Sequence, residues 1–200
     1  LSLEKLVADG RIQPTRIEEI VEKTEEEVSM TLKKAGEEAA VEAKVRGLPA
    51  ELISILGRLK LRTSYGQNQL KHAVEVSTIA GLLAVELGAN ENICRTAGLL
   101  HDLGKAVTHE VPGPHHHISM DIARKYGLDE KIIHAIGAHH DDIAAETLEA
   151  VVVKIADMIS GARPGARRES VEQYTKRMTE LENITNAFEG VQKSYAIQAG

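Results

Sequence analysis

The sequence predicts an all-α fold, and three observations carry that expectation. Apolar residues recur at steps of three, four and seven along most of the 200 residues. Breakers such as Gly10, Gly47, Gly88, Pro112-Gly113-Pro114, Gly127 and Pro164-Gly165 separate these periodic stretches. The alternation expected of strands is absent until the last few residues, where Ser194-Tyr195-Ala196-Ile197 reads as an apolar, strand-like run.

Taken in order, residues 1–9 read as the last turns of a helix ended by Gly10. Pro14 then opens a long amphipathic helix, since proline is tolerated in the first turn. Its apolar positions Ile17, Val21, Val28, Leu32, Ala35 and Ala39 keep helical spacing as far as Arg46, and Gly47 closes it. The remainder of that segment is Glu and Lys, as on a solvated linker or docking helix. A short apolar helix opens at Pro49 and is followed by a polar break at Arg62-Thr63-Ser64-Tyr65-Gly66. Further helices are expected near 67–87, 91–107, 115–126, 129–140, 146–161 and 168–187. They are punctuated by Gly88, Pro112-Gly113-Pro114, Gly127 and Pro164-Gly165. On this basis residues 1–46 form an arm and the rest a helical domain.

Composition narrows the function. Aromatics make up 2% of the chain, so the core must be aliphatic. A net charge of −6 argues against coating nucleic acid through bulk charge, although a local basic patch remains compatible with it. The single cysteine, Cys94, excludes an intramolecular disulfide and any thiolate cluster, and suits a reducing compartment. No stretch approaches the roughly 18 apolar residues of a membrane span. The chain starts at Leu1 without a Met and stops within an apolar run. It is therefore expected to be a fragment of a longer protein.

The histidines are the informative feature. Of nine, eight (His101, His109, His115, His116, His117, His134, His139 and His140) lie between positions 101 and 140, and the ninth is His72. Histidines clustered with aspartates suit borderline divalent ions, because imidazole and carboxylate are both ligands for them. His101-Asp102 follows Thr96-Ala97-Gly98-Leu99-Leu100, which reads as buried helix. An ionised Asp there costs several kcal/mol unless a cation accompanies it. Lys105, three residues past Asp102 and four past His101, is expected on the same helix face, where it can neutralise a phosphate. Asp157, within Val151-Val152-Val153-Lys154-Ile155-Ala156-Asp157-Met158-Ile159, raises the same desolvation problem. His72, on an apolar helix face, reads by itself as a satisfied core residue more readily than as a ligand. His139-His140 is either a second ligand set with His115 or a polar helix end. Two of His115-His116-His117 are expected to be loop residues, and His109 and His134 surface or packing residues. Arg163, Arg167 and Arg168 flank Pro164-Gly165. They read either as salt bridges at a helix start or as contacts to an RNA backbone.

His72, then Leu99-Leu100-His101-Asp102-Leu103-Gly104-Lys105, then Asp157, resembles the HD superfamily of metal-dependent phosphohydrolases in order and in helical setting. The stretches Gly57-Arg58-Leu59-Lys60-Leu61-Arg62-Thr63-Ser64-Tyr65-Gly66, Ser160-Gly161-Ala162-Arg163-Pro164-Gly165-Ala166-Arg167-Arg168-Glu169 and Phe188-Glu189-Gly190-Val191-Gln192-Lys193 are similar to a bacterial endoribonuclease branch of it. The resemblance implies an HD-domain helical bundle over 47–190. The long helix of 1–46 would follow a missing RNA-binding KH domain, and 191–200 would begin a truncated C-terminal region. It implies metal ligation by His72, His101, Asp102 and Asp157. A second set would be His115, His139 and His140, with His115 favoured among its neighbours by counting from Gly113. It further implies single-stranded RNA as substrate, a homodimer, an RNA-degradation complex, and a parent anchored at the cytoplasmic side of a membrane by a missing N-terminal segment. Two ions bridged by Asp102, of Mn²⁺, Mg²⁺ or Fe²⁺, would activate water for in-line attack, with Lys105 stabilising the phosphoryl oxygens. The alternatives within the same resemblance are a nucleotide or cyclic-dinucleotide phosphohydrolase, or a dimerisation or scaffold module.

Overall fold

A computed structural model of the chain describes every residue except Tyr65, His109, Val111, Asp141, 164–170 and 197–200, and, of 171–174, the backbone alone. The architecture is α-helical as expected. The helices are α1 (Ser2–Asp9), α2 (Pro14–Glu42), α3 (Ala50–Arg58), α4 (Gln69–Leu87), α5 (Glu91–Leu100), α6 (His115–Lys125), α7 (Glu130–Gly137), α8 (Leu148–Ala162) and α9 (Val171–Asn186).

Local chemistry sets many of the boundaries. Asn68, Asn90, Asp129 and Thr147 each cap a helix start by accepting backbone N–H groups through their side chains. The polar break after α3 becomes a 3₁₀ turn (Leu59–Leu61) and a minimal antiparallel hairpin, with Thr63 opposite Asn68 and Ser64 opposite Gln67. The strand-like run expected at the C-terminus is irregular over 191–196, and its last residues lie outside those described.

The core is aliphatic. Leu52, Leu56, Leu59, Leu99, Leu100, Leu103, Ile133, Ile136, Val152 and Val153 are fully buried or nearly so. Helix α4 is central and packs against α5 on one side and α8 on another. The second half of α2 joins this core through Ala35, Ala39 and Ala40. Two glycines make that possible. A Cβ on Gly57 would fall 1.8 Å from the Leu32 carbonyl oxygen, and one on Gly36 would fall 2.1 Å from that of Ile53. Spacing within α2 picks out Ala35 and Ala39 but not the two glycines, because glycine carries no apolar signal. Of the apolar positions singled out in α2, Ile17 is exposed, while Ile20 and Thr24 are buried instead.

Candidate metal centre

Five elements converge on one point. His72 comes from α4, and His101-Asp102 from the end of α5. His115 is the first residue of α6. His139-His140 follow α7, and Asp157 lies on α8. The segment expected as one helix over 91–107 in fact breaks here. Helix α5 stops at Leu100, Asp102 takes φ −100° and ψ 13°, and a 3₁₀ turn runs over Leu103–Ala106. His101, Asp102 and Lys105 therefore straddle a helix end rather than share one helix face. Turning the chain here points both the imidazole and the carboxylate inward.

Four of the expected residues form a tight group. His72 Nε2 is 3.0 Å from Asp157 Oδ1 and 3.7 Å from Asp102 Oδ2. His101 Nε2 is 3.2 Å from Asp102 Oδ2 and 3.7 Å from Asp157 Oδ1. The other carboxylate oxygen of Asp102 faces away from this group, 3.2 Å from His115 Nε2. His115 Nε2 lies 2.9 Å from His140 Nε2, and the His139 ring stands 4.9 Å from that of His101, centroid to centroid. Asp102 thus has one oxygen in each cluster. His115 is the member of the histidine triplet nearest Asp102, as the count from Gly113 favoured.

Partners outside the centre fix which ring nitrogens carry protons. His101 Nδ1 donates to the Gly98 carbonyl at 2.8 Å, and His139 Nδ1 to the Ile136 carbonyl at 2.5 Å. Ser160 donates its hydroxyl hydrogen to Glu75 at 2.8 Å, so its oxygen accepts from His72 Nδ1 at 2.9 Å. In each neutral ring Nε2 is then a bare lone pair turned toward the carboxylates or toward the other imidazoles. Electron-rich atoms facing one another at these distances call for a cation among them. His101 Nε2, Asp102 Oδ1 and His139 Nε2 are all buried and lack any hydrogen-bond partner in the protein. Such orphans are costly unless something else satisfies them. The donor set of imidazole and carboxylate, with no sulfur, suits a divalent ion of the Mn²⁺, Fe²⁺ or Mg²⁺ kind.

Electrostatics agree with this reading. Burial pushes His115 down to about 4 and His139 down to about 3, and lowers His140 as well. Burial works against the Asp102 charge, but His101 and Lys105 outweigh it and hold the carboxyl well below its usual range. For Asp157, burial is likewise outweighed, by His72 and His101. His101 moves the opposite way. Burial lowers it, and adjacent Asp102 more than compensates, so the net shift is upward.

These shifts give a pH prediction for the metal-stripped protein. Between about 6.5 and 4 the unfolded chain protonates imidazoles that the fold keeps neutral, so acidification favours unfolding. The depressed Asp102 and Asp157 add further loss as unfolded carboxylates protonate near 4. The raised His101 contributes its stability in full below about 6.5 and so adds no slope across this range. The melting temperature in EDTA should therefore fall steadily from pH 7 to pH 4.5, and a flat profile would contradict the burial of these rings.

Lys105 Nζ is 2.6 Å from Asp102 Oδ2 and 3.1 Å from Gln69 Oε1, at the edge of the centre. Of the three arginines, Arg163 is engaged with Glu75, to which one of its nitrogens donates at 2.9 Å. Arg167 and Arg168 lie outside the described residues, as does His109. His134 packs as expected, its Nε2 accepting from the Glu146 amide. Buried Cys94 is pushed up to about 12 by desolvation, which removes it as a nucleophile.

Sequence reading missed Ser160 and Glu75. Both sit three residues beyond a centre residue, Asp157 and His72 respectively, and so on the same helix face. Replacing Ser160 with Ala leaves the His72 Nδ1–H unpaired and the ring free to turn. Affinity for the first ion should drop about 10–100-fold, the usual effect of losing such a partner. Competition with a fluorescent chelator would measure it, and unchanged affinity would show that packing alone orients His72.

Residues 70–162 match the HD domain family, and every residue of this centre lies within that stretch. Over all 200 of its residues the chain is also similar to ribonuclease Y. It is 60% identical to that of Thermoanaerobacter pseudethanolicus, and 58% to those of Desulforudis audaxviator and Alkaliphilus metalliredigens. It spans 39%, 39% and 42% of those proteins, or about two fifths of their length. No solved structure matches the chain. Among the described residues, no helix is long and apolar enough to cross a membrane.

Proposed function

We propose that this chain hydrolyses RNA phosphodiester bonds as the catalytic part of a ribonuclease Y-type endoribonuclease that initiates mRNA decay. The observation that carries the reading is the placement of Asp102, buried, with one oxygen toward His72 and His101 and the other toward His115. So placed, Asp102 would serve as a carboxylate shared by two divalent ions. His72, His101, Asp102 and Asp157 would hold the first, and His115, His139 and His140, with Asp102, the second. Bound there, such ions supply a water acidic enough to attack near neutral pH and a Lewis-acidic anchor for the phosphoryl oxygens.

The chain's own residues do the rest. The buried hydrogen bonds to Gly98, Ile136 and Ser160 keep His101, His139 and His72 in the ligand tautomer. Lys105, leaving Asp102, would meet the charge that develops on phosphoryl oxygens. The ribose 2′-hydroxyl takes no part in this scheme, so products carry a 5′-phosphate and a 3′-hydroxyl. Residues 47–190 would be the phosphohydrolase domain, and 1–46 its connection to a preceding RNA-binding domain. Residues 191–200 would begin a C-terminal region. The parent would be a homodimer held at the cytoplasmic face by an anchor outside this chain and acting within an RNA-degradation complex. Arg163, Arg167 and Arg168 would border the RNA path.

Incubation of 5′-labelled single-stranded RNA with the chain and Mn²⁺ tests this. Internal cuts with 3′-hydroxyl ends, retained when the cleavage-site ribose is 2′-deoxy, are expected. Cyclic-phosphate ends would overturn the mechanism. Turnover of nucleotides or cyclic dinucleotides with no RNA cleavage would move the chain to another HD phosphohydrolase class. Metal binding without any hydrolysis would leave a scaffold module.

A further inference from the structure

Beside the centre lies a second group of ligand-type side chains that the proposed reaction does not use. His116 and His117 belong to the first turn of α6, and Asp142 lies in the segment after α7. Asp142 Oδ2 is 2.6 Å from His116 Nε2 and 3.1 Å from His117 Nε2, and the three ligand atoms lie within 4.8 Å of one another. Successive residues on a helix point about 100° apart. Two adjacent imidazoles meeting on one carboxylate oxygen therefore define a shared focus, not a common helix face. The expectation that two of the three histidines are loop residues gives way here, since all three are helical. His116 is 6% exposed, and its other nitrogen, Nδ1, is buried with no hydrogen-bond partner.

We propose that His116, His117 and Asp142 form a third, peripheral divalent-cation site, with solvent completing the coordination shell. Two imidazoles and one carboxylate favour first-row ions such as Mn²⁺, Fe²⁺, Co²⁺ or Zn²⁺ over Ca²⁺. The site joins two segments. His116 follows His115 directly, and Asp142 comes two residues after His140. An ion here ties the start of α6 to the segment after α7, the two places that deliver His115, His139 and His140. The His116 ring also lies 4.9 Å from that of His140 and 5.6 Å from that of His115, so the peripheral group abuts the central one. Its occupancy would stiffen the second central set. The inference rests on this cluster's geometry and holds whatever the centre hydrolyses.

The test is Zn²⁺ stoichiometry, by calorimetric titration of the stripped 200-residue chain and by elemental analysis after dialysis. The double variant His117→Gln/Asp142→Asn alters two side chains that are about half exposed, so its far-UV circular dichroism should match that of the parent chain. It should bind one equivalent fewer, and its remaining equivalents about tenfold more weakly. Asp102→Ala, which disrupts the centre, should keep the peripheral equivalent. Equal stoichiometry in the parent and the double variant, or a folded Asp102→Ala protein that binds no Zn²⁺, would overturn the site.

Discussion

Replacing Asp102 with Ala should lower RNA hydrolysis by at least about a thousandfold, because the several kcal/mol of charge stabilisation supplied by bound ions leaves with them. Asp102 is the residue that reaches both clusters, with His101 3.2 Å from one oxygen and His115 3.2 Å from the other. No neighbouring side chain can take both places. The fold should survive, since Asp102 follows the end of α5 and lies outside the aliphatic cluster that holds the helices together. Elemental analysis, far-UV circular dichroism and cleavage of labelled RNA read the three consequences separately. Turnover at the parent level in a folded Asp102→Ala protein would sink the assignment of the centre.

Gly104→Ala should have the next largest effect, although Gly104 touches no ligand atom. A Cβ there would fall 2.1 Å from the His115 carbonyl oxygen and 2.9 Å from its carbonyl carbon. Backbone cannot yield as a flexible side-chain tip does, so the 3₁₀ turn and the start of α6 must separate. The same contact is held by Ser119, whose hydroxyl accepts from the Gly104 amide at 2.8 Å and donates to the His115 carbonyl at 2.9 Å. Displacing α6 moves His115 away from Asp102 and His140. We expect a loss of about 1–3 kcal/mol in stability, the usual cost of overpacking. Activity should fall about 100-fold, the scale of a 1 Å misplacement. The ion proposed for His72, His101 and Asp157 should remain bound while the one proposed beside His115 is lost. Parent-level activity and stoichiometry in Gly104→Ala would show that the turn relaxes around the methyl group without moving α6.

Much of this was legible in the chain itself, for a physical reason. Helices write themselves as local spacing, and their starts as side chains such as Asn68, Asn90, Asp129 and Thr147 that accept local N–H groups. Asp102 and Asp157 stand out because a carboxylate inside an apolar stretch has a desolvation cost that only a cation offsets. Those arguments need no knowledge of what lies across the fold, and they singled out His101-Asp102 and Asp157, whereas His72 as a ligand was implied only by the resemblance to the HD superfamily.

Only the tertiary structure decided the rest. Three consecutive histidines have the same composition and nearly the same local context. His115 is distinguished by the Gly104 turn beneath it, and His116 and His117 by an Asp142 that is 26 and 25 residues away. For Arg163 the sequence left a salt bridge and an RNA contact both open, and the Glu75 found on it lies 88 residues earlier. The same distance separates His72 from the Ser160 that fixes its tautomer. The break between Leu100 and Leu103, and the glycine contact that draws α2 into the core, also depend on partners far along the chain. Spacing along a sequence reports what a residue requires of its surroundings. Which distant group meets the requirement is set by how helices pack.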